Sequence, residues 1–240
     1  MNANIIKRAI RAPFDYYNRF MLRQSFRSQA ADSRGPNERT VEYPFALKAL
    51  SFSHYQDILD VGSGLSPWPA TLAACGYHVT AIDEMTTYWN ESIINKHFHV
   101  IHGDITAPQL NKTFGIVTCI STLEHIPKHA EAMRCMVSLM KDDGILILSF
   151  PYNEHRYLHN IYDHPNAGYG HGAGFITQIY DRQTINGWLS ANNLESIDQK
   201  YFQCFSGELW SFGQRRFPMK EVRVDESHHL TCLVMKKARY

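Results

Sequence analysis

Residues 58–69, Ile-Leu-Asp-Val-Gly-Ser-Gly-Leu-Ser-Pro-Trp-Pro, constrain the fold more than any other stretch of this 240-residue chain. A short apolar run reaches Asp60, turns through Gly62 and Gly64, and meets helix-start chemistry at Ser66 and Pro67. That order describes a parallel strand opening through a glycine loop onto a helix N-terminus, the place where doubly wound sheets bind nucleoside ligands. Glycine suits such a loop because a residue without Cβ lets the backbone approach a ligand closely. A dinucleotide fingerprint, G-x-G-x-x-G, would need a third glycine at position 67, where this chain has proline. The loop therefore argues against a nicotinamide dehydrogenase and for a nucleoside cofactor without a pyrophosphate.

From residue 56 to 150, short apolar runs alternate with helical segments, the pattern of an α/β sheet. Strands are expected at residues 58–61, 79–82, 98–101, 116–120 and 145–150. Ser66 caps the first helix with Pro67 at its first position, and Gly76 ends it. A second helix opens at Pro127, with Ala130, Met133, Met136, Val137 and Met140 at helical spacing; these methionines read as core. Asp142, Asp143 and Gly144 form the turn into the fifth strand. Asp181 caps a third helix carrying Ile185, Trp188 and Leu189, and two late strands, 196–205 and 229–235, close the sheet as an antiparallel hairpin. Between the fifth strand and the third helix, residues 152–180 interleave tyrosines with His155, His159, His164 and His171, and four glycines loosen the second half. This segment leaves the C-terminal edge of the sheet, the side on which ligands bind in such folds.

A chain of this length with 44% apolar residues can bury one substantial core. The formal net charge of +1 gives no global reason to expect a polyanion, so a nucleic-acid partner is disfavoured. The charge is uneven, however: residues 1–40 hold eight Lys or Arg against three acids, and read as a basic helical extension to a domain spanning 41–240. With Ile5, Ile6, Ile10 and Phe14 among the arginines, this extension is suited to a lid, a dimer contact or a peripheral membrane contact. Five scattered cysteines without a C-x-x-C pair fit reduced, buried thiols better than disulfides or a zinc site. Apolar runs such as residues 145–148 are far too short to span a bilayer, and Lys7, Arg8 and Arg11 break any signal core; a cytoplasmic protein is expected.

Taken in order, Asp60-Val-Gly-Ser-Gly64, Ile82-Asp83, Gly103-Asp104-Ile105, Leu123-Glu124-His125-Ile126-Pro127 and Gly144-Ile-Leu-Ile-Leu148 resemble the motifs of class I S-adenosylmethionine-dependent methyltransferases. The resemblance covers roughly residues 40–150 and implies a Rossmann-like, doubly wound, mostly parallel seven-stranded sheet with a C-terminal antiparallel hairpin. It also implies S-adenosylmethionine as cofactor. Asp60, Gly62, Ser63 and Gly64 would hold its amino-acid end, Asp83 its ribose hydroxyls, and Asp104 with Ile105 its adenine edge. Ile120 and Ser121 would pass beneath the sulfonium. One departure stands out: family members often have Phe-Asp entering the fourth strand, and this chain has Phe114-Gly115. Upstream, residues 38–45 resemble the segment before the first motif in methyltransferases of polysaccharide gene clusters, so Glu42 or Tyr43 closes over the cofactor or packs the first helix onto the sheet.

Methyl transfer to a hydroxyl needs a base, and a histidine with a near-neutral pKa is suited to that role. His125 and His155 follow the fourth and fifth strands and are the candidate catalytic residues. The acceptor is then a small molecule or a glycan, since aromatic faces such as those of residues 152–180 pack against ring surfaces. Small-RNA 2′-O-methyltransferases and ubiquinone-pathway O-methyltransferases carry Glu-x-x-Glu-His at this place and bind a divalent metal there. Here the first acid is replaced by Ser121, leaving Glu124, His125 and a later histidine, His171, as an alternative metal set. A module that binds the cofactor without catalysis is a further alternative.

Overall fold

The computed structural model describes residues 36–64, 66–84 and 98–238, together with four helical residues, Pro13, Tyr16, Tyr17 and Phe20. Most of the basic extension read over residues 1–40 thus lies outside the described residues. The elements are α1 (Arg39–Leu50), β1 (Asp57–Val61), α2 (Trp68–Ala74), β2 (His78–Asp83), β3 (Phe98–His102), β4 (Phe114–Ile120), α3 (His129–Ser138), β5 (Met140–Pro151), α4 (Arg182–Ala191), β6 (Leu194–Phe205), β7 (Arg215–Val222) and β8 (Leu230–Lys237). They build one sheet in the order β3-β2-β1-β4-β5-β8-β6-β7. Strands β1 to β5 run parallel, and β8 inserts antiparallel between β5 and β6. Strand order reverses at β1, which has β2 on one side and β4 on the other, so the carboxyl ends of these strands open a crevice.

Period-two alternation sorts the strand side chains into two cores. Leu59, Val117, Leu146 and Leu148 face one layer with Met133, Met136 and Met140, all buried. Ile58, Ile116 and Ile147 face the other with Ala46, Leu50, Trp68 and Leu72 of α1 and α2. All seven residues of β4 are buried, as befits a central strand covered on both faces.

The described sheet has eight strands, correcting the expected seven. The added strand, β7, reads Arg-Arg-Phe-Pro-Met-Lys-Glu-Val and is mostly exposed. It has no apolar run to betray it, and an edge strand tolerates both the charges and the proline. The late strands β6 and β8 do pair antiparallel as expected, but β7 intervenes between them in sequence.

Met140 belongs to β5 and not to the preceding helix. The β4–β5 ladder pairs Phe114 with Met140 and then Ile116 with Ile145, so residues 141–144 bulge out opposite Gly115 alone. The Asp-Asp-Gly turn survives as this bulge. Gly115 is required there: a Cβ would lie 1.9 Å from the Tyr55 ring. Tyr55 in turn stacks under the Lys141 ammonium and bonds to Asp143, which accounts for the departure from Phe-Asp.

Candidate active site

Strand β1 delivers Asp60 to the crevice almost fully buried, and Thr118 of the adjacent β4 donates to its Oδ1 at 2.7 Å. Burial pushes this carboxyl up to about 7; the Thr118 bond opposes the rise and nearby Asp83 adds to it. The chain then turns through Gly62 at φ +74°, whose N–H donates to Ile82 O at 2.9 Å. A Cβ on Gly62 would sit 1.9 Å from Thr122 Cγ2, so the loop backbone packs directly on a side chain of the post-β4 turn. Gly64, at φ +46°, has no described atom within 4 Å of where a Cβ would stand, and its N–H donates to Asp83 Oδ2 at 2.6 Å. Between them Ser63 is buried with no partner for its hydroxyl among the described residues. Ser66 Oγ accepts from the Trp68 N–H at 3.1 Å, so α2 starts one residue later than expected, with Pro67 at the cap.

The first helix packs directly on this loop. Tyr43 stacks on Trp68 with centroids 4.6 Å apart and shares a 2.8 Å hydrogen bond with Ser66. Glu42 is fully buried and accepts from Ser121 Oγ at 2.6 Å and from Arg39. Burial disfavours charge on Arg39, but Glu42 with Tyr43 and Glu38 together outweigh it and hold the guanidinium above its ordinary value. Ser121 adopts φ +44°, a left-handed conformation uncommon for serine, as the chain leaves β4. Arg39 escaped sequence reasoning; a cation three residues before a carboxylate on a largely apolar helix was the available signal.

Ile105 and Ile120 are buried. Asp104 accepts from Thr106 N at 2.7 Å and Thr106 Oγ1 at 2.6 Å, bonds that lower its pKa. Its carboxylate therefore also organises its own turn.

The Glu124-His125 pair stands on a three-residue 3₁₀ turn, Leu123–His125, just beyond β4. His125 Nδ1 lies 2.8 Å from Ile176 O. A carbonyl only accepts, so Nδ1 carries the hydrogen and the neutral ring presents Nε2 as an acceptor. Burial lowers the pKa of this imidazole. Nε2 is 3.9 Å from Oε1 of Glu124, a buried acid whose Oε2 has no partner among the described residues. Burial pushes the Glu124 carboxyl up to about 8, its own backbone N–H opposing and Glu42 adding.

Phe175 packs edge-on to His125 with centroids 5.0 Å apart, and Tyr162 packs on Phe175 at 5.9 Å. The aromatic segment thus does reach the Glu124-His125 turn. His155 is exposed and lies within electrostatic range of buried His228. His171 Nε2 meets Ala167 O at 2.9 Å. Among the described residues, no group of three or more His, Cys, Asp or Glu is placed to hold a metal ion. Nor is any described helix long and apolar enough to cross a membrane.

Residues 9–199 match the family described as "Methyltransferase domain". Among curated relatives, the mitochondrial ubiquinone biosynthesis O-methyltransferase of Schizosaccharomyces pombe is 30% identical over 100 residues, 38% of this chain and 36% of that protein. The ubiquinone biosynthesis O-methyltransferase of Rickettsia canadensis is 32% identical over 109 residues, 40% of this chain and 45% of that one. The chain thus spans less than half the length of these relatives. Two solved structures share the fold. An S-adenosylmethionine-dependent methyltransferase from Clostridium acetobutylicum superposes with a TM-score of 0.55 at 14% identity, covering 93% of this chain and 99% of that one. The 1,6-didemethyltoxoflavin-N1-methyltransferase of Burkholderia thailandensis gives 0.58 at 15% identity, covering 93% and 90%. With the family match extending over most of its length, the chain belongs to the methyltransferase-domain family, the class I enzymes that take their methyl group from S-adenosylmethionine.

Proposed function

We propose that this protein methylates a hydroxyl of a small-molecule acceptor, with His125 as the general base. The observation that carries this reading is the ring's tautomer: Nδ1 is committed to Ile176 O, so Nε2 is the acceptor nitrogen, on a turn two residues beyond the strained Ser121. A lowered pKa keeps the ring neutral near pH 7, the state a base must start from.

The residues fit the cofactor. The Gly62-Ser63-Gly64 backbone turns without a Cβ at two of its three positions, which suits close backbone approach, and the Ser63 hydroxyl, partnerless among the described residues, supplies a polar contact. Asp60 and residues 62–64 would hold its amino-acid end, Asp83 its ribose, and Asp104 with Ile105 its adenine, while Ile120 and Ser121 line the path of the methyl group. When bound, S-adenosylmethionine supplies a methyl group on a sulfonium leaving group. The chain itself orients the acceptor oxygen, excludes water and receives the hydroxyl proton on Nε2 of His125. Phe175 packs against the imidazole and Tyr162 against Phe175, an aromatic surround that suits a cyclic acceptor. The named activity of the ubiquinone-pathway relatives favours oxygen as the acceptor atom.

Transfer of labelled methyl groups to a panel of phenols, sugars and lipid-linked glycans tests this, with calorimetry against S-adenosylhomocysteine as the binding control. His125→Ala should keep its affinity for S-adenosylhomocysteine while kcat falls roughly 10²–10⁴-fold. An unchanged kcat would remove His125 as the base. Chelation of divalent ions should leave turnover unaltered; its loss would favour the alternative set of Glu124, His125 and His171.

A further inference from the structure

The turn carrying His125 is too short to hold itself, with three residues and no side-chain cap. It is held by a segment some fifty residues later in the chain. The Gln178 backbone N–H donates to Glu124 O at 2.9 Å. Its side-chain Nε2 donates to Ile126 O at 2.8 Å and to Tyr180 Oη at 3.1 Å, and Tyr180 Oη passes its own hydrogen to Leu123 O at 2.8 Å. The carbonyls of residues 123, 124 and 126 are therefore all satisfied by Gln178 and Tyr180, both fully buried. On the far side of the amide, Gln178 Oε1 accepts from Tyr157 Oη at 2.7 Å. A buried amide engaged at both ends has one orientation, and turning it over would set oxygen against carbonyl oxygen. The same segment binds the imidazole itself, through Ile176 O on Nδ1.

We propose that Gln178 is a positioning residue for His125: it fixes the backbone on both sides of the ring and, through half-exposed Tyr157, ties that placement to the outer face of the acceptor segment. The inference rests on the reading of His125 as the base. Gln178→Leu keeps the bulk but removes the donors, and Gln178→Glu sets a carboxyl among the same carbonyls. A misplaced base loses rate steeply with distance, so kcat should fall about tenfold to a hundredfold with acceptor KM and S-adenosylhomocysteine affinity within about twofold. The titratable and charged neighbours of the ring, the buried Glu124 carboxyl at 3.9 Å and the Arg39 guanidinium of α1, are untouched by the Leu change. Loosening the turn admits water to the imidazole, so the acid limb of kcat should move up by about half a unit to one unit.

A merely structural role would reduce the amount of binding-competent protein, counted by calorimetric stoichiometry, without moving that limb. An unmoved limb, or a wild-type kcat in Gln178→Leu, would overturn the proposal. Should Gln178→Leu and Gln178→Glu fail to fold, Tyr157→Phe carries the test: kcat down about twofold to threefold with a smaller shift of the same limb supports it, and neither change overturns it. If His125→Ala retains full activity, the base assignment itself falls. If His125→Ala is inactive and Gln178→Leu is normal, only the positioning role does.

Discussion

Around residues 60–64 each candidate residue lies within a few positions of a strand end, and its partners come from the neighbouring strands: Thr118 for Asp60, Ile82 for Gly62, Asp83 for Gly64. Around His125 the partners come from Ile176, Gln178 and Tyr180, more than fifty residues away in sequence. The acceptor segment also buries Ile161 and Ile179 against Phe205, Trp210 and Phe212, from β6 and the loop after it. The proposed cofactor side is thus built by local backbone geometry on a parallel sheet. The proposed acceptor side is built by long-range closure of one loop on another. The first arrangement suits a part that must stay constant, and the second a part in which a loop change alters specificity without disturbing the sheet.

The largest expected effect is at Gly62. Alanine there meets Thr122 and must hold φ +74°, which alone costs about 1–2 kcal/mol. Gly62→Ala should lower affinity for S-adenosylhomocysteine at least tenfold by calorimetry and depress the melting temperature. Gly64→Ala shares the positive-φ penalty at +46° but meets no described atom within 4 Å, so it should cost less in stability. Adding Thr122→Ala to Gly62→Ala should recover part of the loss, because it removes the two nearest clashing atoms. Equal damage at the two glycines would break the claim that Gly62 is shaped by its contact with the post-β4 turn.

Next comes the pH dependence of stability. Asp60 and Glu124 have folded pKa values near 7 and 8, above those of the unfolded chain. The folded state therefore binds more protons than the unfolded one between about pH 4 and pH 8. Their stabilising protonation is complete below the unfolded values and is lost as pH rises through the folded ones. Stability should fall across this window with a limiting slope of about 1.4 kcal/mol per pH unit for each group. Glu124→Gln should flatten the upper part of the slope in denaturant titrations at pH 5 to 8. An unchanged slope would mean that this acid ionises normally.

The smallest effect concerns the outer rim of the acceptor side. Arg215 of β7 pairs with Glu38 at 2.6 Å and lies over the Phe205 and Tyr169 rings at 5.2 and 5.9 Å. Both partners are partly exposed, so the pair is worth about 0.2–1 kcal/mol. Arg215→Ala should raise acceptor KM about twofold to fivefold and leave S-adenosylhomocysteine binding unchanged. A change in cofactor affinity would show that the two sides of the cleft are coupled through α1.

Much of the strand and loop geometry around residues 60–64 was legible in the chain. Asp60, Gly62 and Gly64 stand at a strand end because an apolar run, an acid and two glycines permit little else, and Asp181 caps its helix through Thr184 N at 2.8 Å as its position suggested. Strand β7 was not legible, because an exposed edge strand has no hydrophobic period. The bulge at residues 141–144 was read as a plain turn, because opposing four residues to one glycine is a property of the β4–β5 pair and of neither strand alone. His125 was picked out beside His155, but nothing local distinguished the two.

What the sequence determined by itself was the parallel sheet, its glycine loop and hence the class of cofactor, because these follow from short-range rules: strand period, helix capping and the freedom of glycine at positive φ. What only the tertiary structure decided was which nitrogen of His125 is the acceptor, why Gly115 replaces an acid, and which segment holds the Glu124-His125 turn. Each of those depends on hydrogen bonds or packing between residues distant in the chain. Such contacts are chosen by the closure of the whole fold, and no local pattern encodes them.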